Sequence, residues 1–315
     1  MRAVTIVDGE LHWSEHPDPT PGPGEVVVAV TAAGLNGADM LQRRGHYPAP
    51  PGWPQDIPGM EFAGNVLSTG DGAHRFAAGD RVMGICGGGG QAEQVAVPES
   101  TLLTVPEGCD LVACGGFPEV FSTAQDALFT QAELCEDDTV LISGAAGGVG
   151  TAAVQIAHVL GAHVIAVTRD DEHHDKLREL GADETIVSED VADLAPVHVV
   201  LELVGAVNLE RTQRVLAPFA RVVVIGVGGG SKVELDLLNV MVTRALVTGS
   251  TLRSRSRKEK AQVIARVNEF LVPLWDEGRL RVPSAGRFNF EDINRAYNFF
   301  AKPGKFGKVI VSIRE

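Results

Sequence analysis

The middle of the chain alternates short apolar runs with amphipathic stretches. Thr139–Ser143 (TVLIS) is a compact apolar run with β-branched residues, which predicts a buried parallel strand. Val149, Ala153, Ile156 and Leu160 then recur at helical spacing and predict a helix over Gly148–Leu160. The alternation continues with predicted strands at His163–Thr168, Glu184–Val187, 198–203, 221–227 and 245–251, and with predicted helices at 172–180 and 208–216. A helix over 117–129, with Pro118 at its start, precedes them. Strands alternating with helices in this way predict a parallel sheet covered on both faces.

The flanks read differently. Arg2–Val7 and 25–33 predict two strands, separated by a proline-rich stretch that continues neither a helix nor a central strand. Five prolines between Pro48 and Pro58 demand a loop. Residues 80–85 and 91–97 predict a strand pair joined by the glycines at 87–90. The chain up to residue 105 is therefore mostly β, a small barrel-like unit. Beyond the central alternation, 259–277 and 290–300 predict helices and 308–313 a last strand. Within the first region lies GLNGADMLQRRGHYP, residues 34–48. A helical turn over 39–44 ends at Gly45, and Asn36, Asp39, Arg43 and Tyr47 are the polar groups able to face a cleft. Capping and turn chemistry accounts for Asn36 and Asp39 as well, since both residue types favour such positions.

The most informative stretch is the junction of the first central strand and its helix. Gly144, Gly147, Gly148 and Gly150 crowd into seven positions there. Glycine lets a backbone turn tightly and approach a ligand, and a helix N-terminus offers unpaired N–H groups and a positive dipole end. Strand, glycine turn and helix together suit a pyrophosphate. The strict GxGxxG spelling is absent, because Ala145 and Ala146 fill the first turn, and a tight strand-to-helix turn would need glycines too. The next strand, ending at Thr168, arrives where a ribose-recognition residue belongs, roughly twenty residues on. Gly226, Gly228, Gly229 and Gly230 follow another strand and suggest a second close approach of backbone to ligand.

Length and charge narrow the class. A chain of 315 residues, 44% hydrophobic, predicts two domains with ample core. No apolar run reaches the roughly eighteen residues of a membrane span, and the N-terminus lacks the pattern of a signal peptide. A formal charge of −14 argues against a nucleic-acid surface. The local basic run at 254–260 reads as a solvated helix start. Cys86, Cys109, Cys114 and Cys135 form no CxxC pair and read as free thiols in a reducing cytoplasm. No set of histidines has ligand spacing, and His173 and His174 are expected on an exposed helix.

GLNGADMLQRRGHYP, PGMEFAG at 58–64, AAGDRVMG at 77–84, GAAGGVGTAAVQIA at 144–157, GSTLRSRS at 249–256 and GKFGKVIVSI at 304–313 are spread along essentially the whole chain. They resemble the zinc-free quinone oxidoreductase, or zeta-crystallin-like, branch of the medium-chain dehydrogenase/reductase superfamily. The resemblance implies an α/β fold: a GroES-like β-rich catalytic domain over 1–117 and 262–315, and a Rossmann doubly wound parallel sheet domain over 118–261, with the cofactor in the cleft between them. Zinc-dependent relatives carry Cys where this chain has Asn36 and His where it has Met60, and neither replacement is a good zinc ligand. Relatives with structural zinc also carry a four-cysteine lobe that this chain lacks. The resemblance thus implies metal-free transfer of a hydride from NADPH to a quinone or related conjugated carbonyl.

The same resemblance assigns roles. Ala146, Gly147, Gly148, Val149 and Gly150 would hold the cofactor's pyrophosphate, with Gly226, Val227, Gly228 and Lys308 as further cofactor contacts and Thr123 beside the nicotinamide. Asn36 and Tyr47 would hydrogen-bond the substrate oxygen, and Asp39 and Arg43 would orient the site. Arg169 occupies the strand end that carries an acid in NAD-selective relatives, which favours NADPH, while Asp170 and Asp171 beside it would point into solvent. Leu41 stands where some relatives have a second tyrosine, which leaves a more apolar pocket. Two other readings share these residues: a trans-acting enoyl-thioester reductase with Tyr47 as the acid, and a non-catalytic crystallin-like NADPH-binding protein. The apolar strand at 245–251 would leave an unprotected sheet edge, and relatives pair it across a two-fold axis, so a homodimer is expected.

Overall fold

The computed structural model describes residues 1–314. They form two compact units, Met1–Ser122 with the chain from Leu252 onward, and Thr123–Thr251. The dividing lines fall at 122/123 and 251/252, not at the expected 117/118 and 261/262. Aromatic packing gives the reason on one side. Phe117 stacks on Phe121 with ring centroids 4.2 Å apart and meets Trp275 at 4.1 Å, so the start of the expected central helix belongs to the first unit's core.

The first unit opens with β1 (Arg2–Val7) and β2 (Glu10–Glu15), which pair as an antiparallel hairpin. Only one strand is expected before residue 25. The hairpin turns on Asp8 and Gly9, both at positive φ (50° and 81°), the two-residue geometry that Asp-Gly favours. Next come β3 (Glu25–Gly34), α1 (Gly37–Arg43), β4 (Glu61–Thr69), β5 (Arg81–Ile85), β6 (Gln94–Pro98), β7 (Leu102–Thr104), α2 (Leu111–Cys114) and α3 (Pro118–Gln125), which runs on as a π-helical segment over Asp126–Gln131. β5 and β6 do not pair with each other as expected. β5 lies between β4 and β7, and β6 adds to β3. The glycines at 87–90 fold back on residues 57–59 instead. Gly89 N–H donates to Ile57 O and Gly90 N–H to Gly59 O, at 2.9 and 3.1 Å, and a Cβ on Gly59 would stand 2.4 Å from Gln91 N.

The second unit contains β8 (Thr139–Ser143), α4 (Gly148–Leu160), β9 (His163–Thr168), α5 (His174–Glu179), β10 (Glu184–Val187), β11 (Val197–Glu202), α6 (Ala206–Thr212), β12 (Leu216–Val224), α7 (Leu237–Thr243) and β13 (Leu246–Gly249). Its six strands are all parallel in the order β10-β9-β8-β11-β12-β13. The order reverses between β8 and β11, the position where open α/β sheets bind ligands beyond their strand ends. Leu141, Val167, Val200 and Val222 centre its core.

The chain then returns to the first unit through α8 (Arg257–Asp276), β14 (Ser284–Asn289), α9 (Ile293–Ala301) and β15 (Lys308–Ser312). The basic run lies at the start of α8, where Ser256 caps Glu259 N–H. β15 pairs antiparallel with the end of β3, Ile310 opposite Gly34. That register carries Lys308 to the turn that follows β3. The sheet runs β14-β15-β3-β4-β5-β7, and Val28, Val30, Phe62, Val97 and Val309 are among its buried core. Among the described residues, no helix is long and apolar enough to cross a membrane.

Candidate active site

The glycine turn after β8 is built from backbone. Gly144 has φ +71°, which a side chain would strain, and a Cβ on Gly150 would lie 2.6 Å from backbone atoms of Gly144 and Ala145. Gly150 is therefore required by the turn's own packing. Gly147 is different. It is exposed, caps α4 without a side-chain hydrogen bond, and a Cβ there would meet only Gly144 O, at 3.4 Å. The N–H groups of Gly148, Val149 and Gly150 open α4 and have no partner within the helix. Ala146 is half-buried beside them. These residues fit a pyrophosphate: free donors, a positive dipole end, and open space at the cap.

The other predicted cofactor positions separate into two kinds. A Cβ on Gly226 would stand 2.2 Å from Leu203 O, and one on Gly205 (φ +110°) 2.5 Å from Gly230 O. The chain itself thus requires glycine at 226. Gly228 has open space around its missing side chain, and Val227 is exposed. Between the two loops lies Glu202, a residue sequence reasoning passed over. Its Oε1 accepts from Ser143 Oγ and from the N–H groups of Val204 and Gly205, at 3.0, 2.7 and 2.7 Å, which pins the turn after β11. Burial pushes its carboxyl above the usual range.

At the end of β9, Arg169 is mostly exposed and binds Asp170 through Nε and Nη2, at 3.2 and 3.0 Å. Asp170 does not simply face solvent as expected; the Arg169 guanidinium engages it and holds its carboxyl below the usual range. Thr168 Oγ1 lies 2.9 Å from His174 Nε2, and His173 is buried at the start of α5. The expected exposed histidine pair is thus built into the turn that closes this strand end.

In the first unit, four distant segments meet. Lys308 Nζ donates to Leu35 O and Asn36 Oδ1, both at 2.8 Å, and to Glu61 Oε1 at 2.5 Å. Lys308 and Glu61 are buried, with side chains 3% and 0% exposed. Asn36 Nδ2 donates to Glu61 Oε1 at 2.9 Å and to Gly34 O at 3.4 Å. Asn36 therefore has no spare donor for a substrate oxygen, which corrects its expected role, and the Lys308 ammonium is spent on protein oxygens rather than on a cofactor. Asp39 accepts from the N–H groups of Asn36 and Gly59, at 2.8 and 3.0 Å, and burial pushes its carboxyl up to about 6. Glu119, in the first turn of α3, donates its backbone N–H to Glu61 Oε2 at 2.9 Å.

Tyr47 is held from behind. Arg253, buried and 4% exposed, donates to Tyr47 O, Gly87 O and Gln42 Oε1, and its guanidinium lies 5.1 Å from the Tyr47 ring centre. The Tyr47 hydroxyl has no hydrogen-bond partner among the described residues, and burial raises its pKa while Arg253 opposes the rise. Thr123 is half-buried on α3. Arg43 turns to the hairpin instead of the site, donating to Gly9 O and Glu10 Oε2 at 2.7 and 3.2 Å. Leu41 is 42% exposed.

A zinc ion does not suit this donor set. Asn36 Oδ1 and Glu61 Oε1 both accept from the Lys308 ammonium, so a cation already fills the oxygen cage, and no group of three or more His, Cys, Asp or Glu among the described residues could hold a metal. Like Glu202, the residues Glu61, Glu119 and Arg253 belong to the site and were missed by sequence reasoning. The signal available for the two acids was a lone carboxylate in an apolar neighbourhood, EFAG and FPEVF.

Comparison with known proteins places these units among dehydrogenases. The family model "Alcohol dehydrogenase GroES-like domain" matches residues 22–107, and "Zinc-binding dehydrogenase" matches 148–269. Quinone oxidoreductase-like protein 2 of Bos taurus is 31% identical over 302 residues, covering 93% of this chain and 86% of that one. A solved structure of a probable oxidoreductase from Mycobacterium abscessus superposes with TM-score 0.85 at 30% identity, covering 99% of each chain. A thermostable alcohol dehydrogenase from Pyrobaculum aerophilum gives 0.86 at 28% identity, again covering 99% of each.

Proposed function

The chain belongs to the medium-chain dehydrogenase/reductase superfamily, and from that premise we propose that it reduces a quinone or related conjugated carbonyl with NADPH, without a metal ion. The observation that carries this reading is the Tyr47 hydroxyl: a phenol fixed from behind by Arg253, with no partner for its proton among the described residues. A nicotinamide nucleotide supplies the hydride when bound. The N–H groups of residues 148–150 would hold its diphosphate, and Arg169 would exchange Asp170 for the 2′-phosphate. Tyr47 O–H donates to the acceptor's oxygen as negative charge gathers there, which stabilises the transition state more than the ground state. Asn36, Asp39 and Lys308 act as positioning residues that fix the turn between β3 and α1. The filled oxygen cage around Lys308 supports a metal-free reaction.

The test is NADPH oxidation with benzoquinone, phenanthrenequinone and crotonyl thioesters. Turnover of the quinones is expected. Turnover of the thioester alone, tight NADPH binding without any turnover, or activity lost to a chelator would overturn the reading.

A second copy of the chain belongs to the same proposal. β13 pairs only with β12 among the described residues, and its Leu246 is 55% exposed beside an α7 that exposes Leu237, Leu238, Met241 and Val242. A homodimer would cover this edge. Light scattering is expected to give a dimer that Leu246→Lys dissociates; a wild-type monomer at micromolar concentration would refute it. The four free cysteines suit a reducing cytoplasm.

A further inference from the structure

Glu119 has no task in the chemistry above. It is 8% exposed, and its carboxyl makes no hydrogen bond or ion pair with any described residue. The unpartnered Ser122 Oγ and Glu202 Oε2 are sealed from solvent, but the Glu119 oxygens are not. A buried carboxyl without a partner is costly as an anion, which favours its protonated form, and the remaining solvent contact gives its proton a way in and out.

Its surroundings favour the protonated form and show where the compensating charge lies. Glu61, from β4, is joined to Glu119 through the backbone N–H, and it is Glu61 that forms the ion pair with Lys308. Asp39 from α1 adds a second negative neighbour. Lys308 from β15 and Lys260 from α8 oppose them. Burial is the largest effect and Glu61 the next, and together they push the Glu119 carboxyl up to about 8. Lys260 is itself depressed by burial and lies 5.9 Å from the Trp53 ring centre, and Tyr47 and Cys86 both feel the Glu119 charge. Two adjacent carboxyls thus separate into a paired carboxylate and an acid ready to donate near neutral pH, where general acids work best. Thr123 lies four residues further along α3, on the same helical face.

We propose that Glu119 is the general acid of the reduction, giving its proton to the substrate oxygen while Tyr47 stabilises that oxygen by hydrogen bonding. This rests on the proposed reduction of a conjugated carbonyl. A C–H bond forms as the hydride and its electron pair reach the acceptor, NADPH becomes NADP⁺, and the acceptor's π electrons move onto oxygen. The Glu119 O–H bond then breaks and a substrate O–H bond forms, giving an enol; for a quinone, the carbon that took the hydride then loses a proton to water and the second carbonyl oxygen gains one, which completes the hydroquinone. Water reprotonates the carboxylate, whose charge Lys308 and Lys260 tolerate.

The experiment compares wild type, Glu119→Gln, Glu119→Asp and Tyr47→Phe across pH, with the infrared carboxyl band of Glu119 read as a wild-type minus Glu119→Gln difference. Only the protonated acid donates, so wild-type kcat should fall as pH rises through about 8, in step with loss of the protonated band. Glu119→Gln should lose roughly a hundredfold or more in kcat and its alkaline limb. Glu119→Asp should recover part of both, and Tyr47→Phe should keep the limb. Should the Gln variant fail to fold, the Asp variant and isotope-labelled wild type still decide the matter. An unchanged rate and pH profile in Glu119→Gln, or no protonated band at neutral pH, overturns the role of Glu119 and leaves the quinone reading standing. Failure of the wild type to reduce any conjugated carbonyl overturns that reading and this role with it.

Discussion

The glycine turn of the second unit and the polar cluster of the first represent two ways of building a site. The turn occupies seven consecutive residues, 144–150, and offers almost nothing but backbone. The cluster draws Asn36, Asp39, Glu61, Glu119 and Lys308 from segments up to 272 residues apart and works through charge. A backbone site tolerates changes of charge around it and fails when volume is added. A site of buried charges tolerates small changes of shape and fails when a charge loses its partner. The two should therefore break under opposite kinds of substitution.

The largest effect is expected at Gly150. Its Cβ would collide with backbone at 2.6 Å, and neither strand β8 nor helix α4 can give way cheaply. Gly150→Val should abolish NADPH binding and lower the Tm sharply. Gly147→Ala adds a methyl in ordinary contact with Gly144 O, so stability should stay within about 0.5 kcal/mol while NADPH affinity falls. Thermal unfolding with and without NADPH separates the two. Equal loss of stability in both variants would erase the distinction between a glycine the turn needs and one a ligand needs.

Next in size is Lys308→Met. It leaves Glu61 buried without its cation, which costs about 3–5 kcal/mol. Adding Glu61→Gln should recover most of that, because the orphaned charge is gone. Urea unfolding of the single and double variants measures it. A double variant no more stable than the single would show that the pair stabilises by packing rather than by charge.

This contrast also explains what the sequence disclosed. β8, the turn and α4 are contiguous, and their pattern is local, so Thr139–Ser143 and Gly148–Leu160 are legible to the residue. The parallel pairing of the second unit follows from the same alternation. Glu61 and Glu119 are not legible as a site, because each is a lone acid whose partner is set by strand pairing far along the chain: β15 on β3 brings Lys308 to Glu61. Asn36 reads as a candidate for substrate binding, yet its amide is consumed by neighbours that only the fold supplies. The β1–β2 hairpin turns on two residues, Asp8 and Gly9, and its second strand is marked only by the short alternation of Leu11 and Trp13 in ELHWSE, which is easily passed over. α7 (LLNVMVT) carries apolar residues on an exposed face, so no amphipathic period marks it as a helix.

Tyr47→Phe tests the side of the cluster that faces a ligand. The phenol helps as the substrate oxygen gains charge, so its loss should lower kcat about tenfold to a hundredfold and leave the Kd for NADPH nearly unchanged. Arg253 holds the main chain and ring of residue 47, contacts that phenylalanine keeps, so misplacement is not expected to confuse the result. Unchanged turnover with every accepted substrate would reduce Tyr47 to a wall of the pocket.

The smallest effect is expected where the backbone site relies on one side chain. Arg169 is expected to choose NADPH over NADH, but its guanidinium is already engaged by Asp170. A charge-assisted bond to a 2′-phosphate is worth about 1.5–3 kcal/mol. Exchanging the exposed Asp170 pair for it gives back part of that gain, and Asp170, once released, lies close enough to repel the phosphate. The remaining preference should be about tenfold. Arg169→Ala should bring kcat/KM for NADPH and NADH close to equality. Asp170→Asn frees the guanidinium and removes the repulsion together, so it should widen the preference severalfold. Two outcomes would break the account. If Arg169→Ala leaves the preference untouched, the phosphate is read elsewhere, and the open Gly228 loop becomes the place to look. If Asp170→Asn narrows the preference, the carboxylate is orienting Arg169 toward the phosphate rather than competing for it, and the ion pair seen at the end of β9 is part of the binding site.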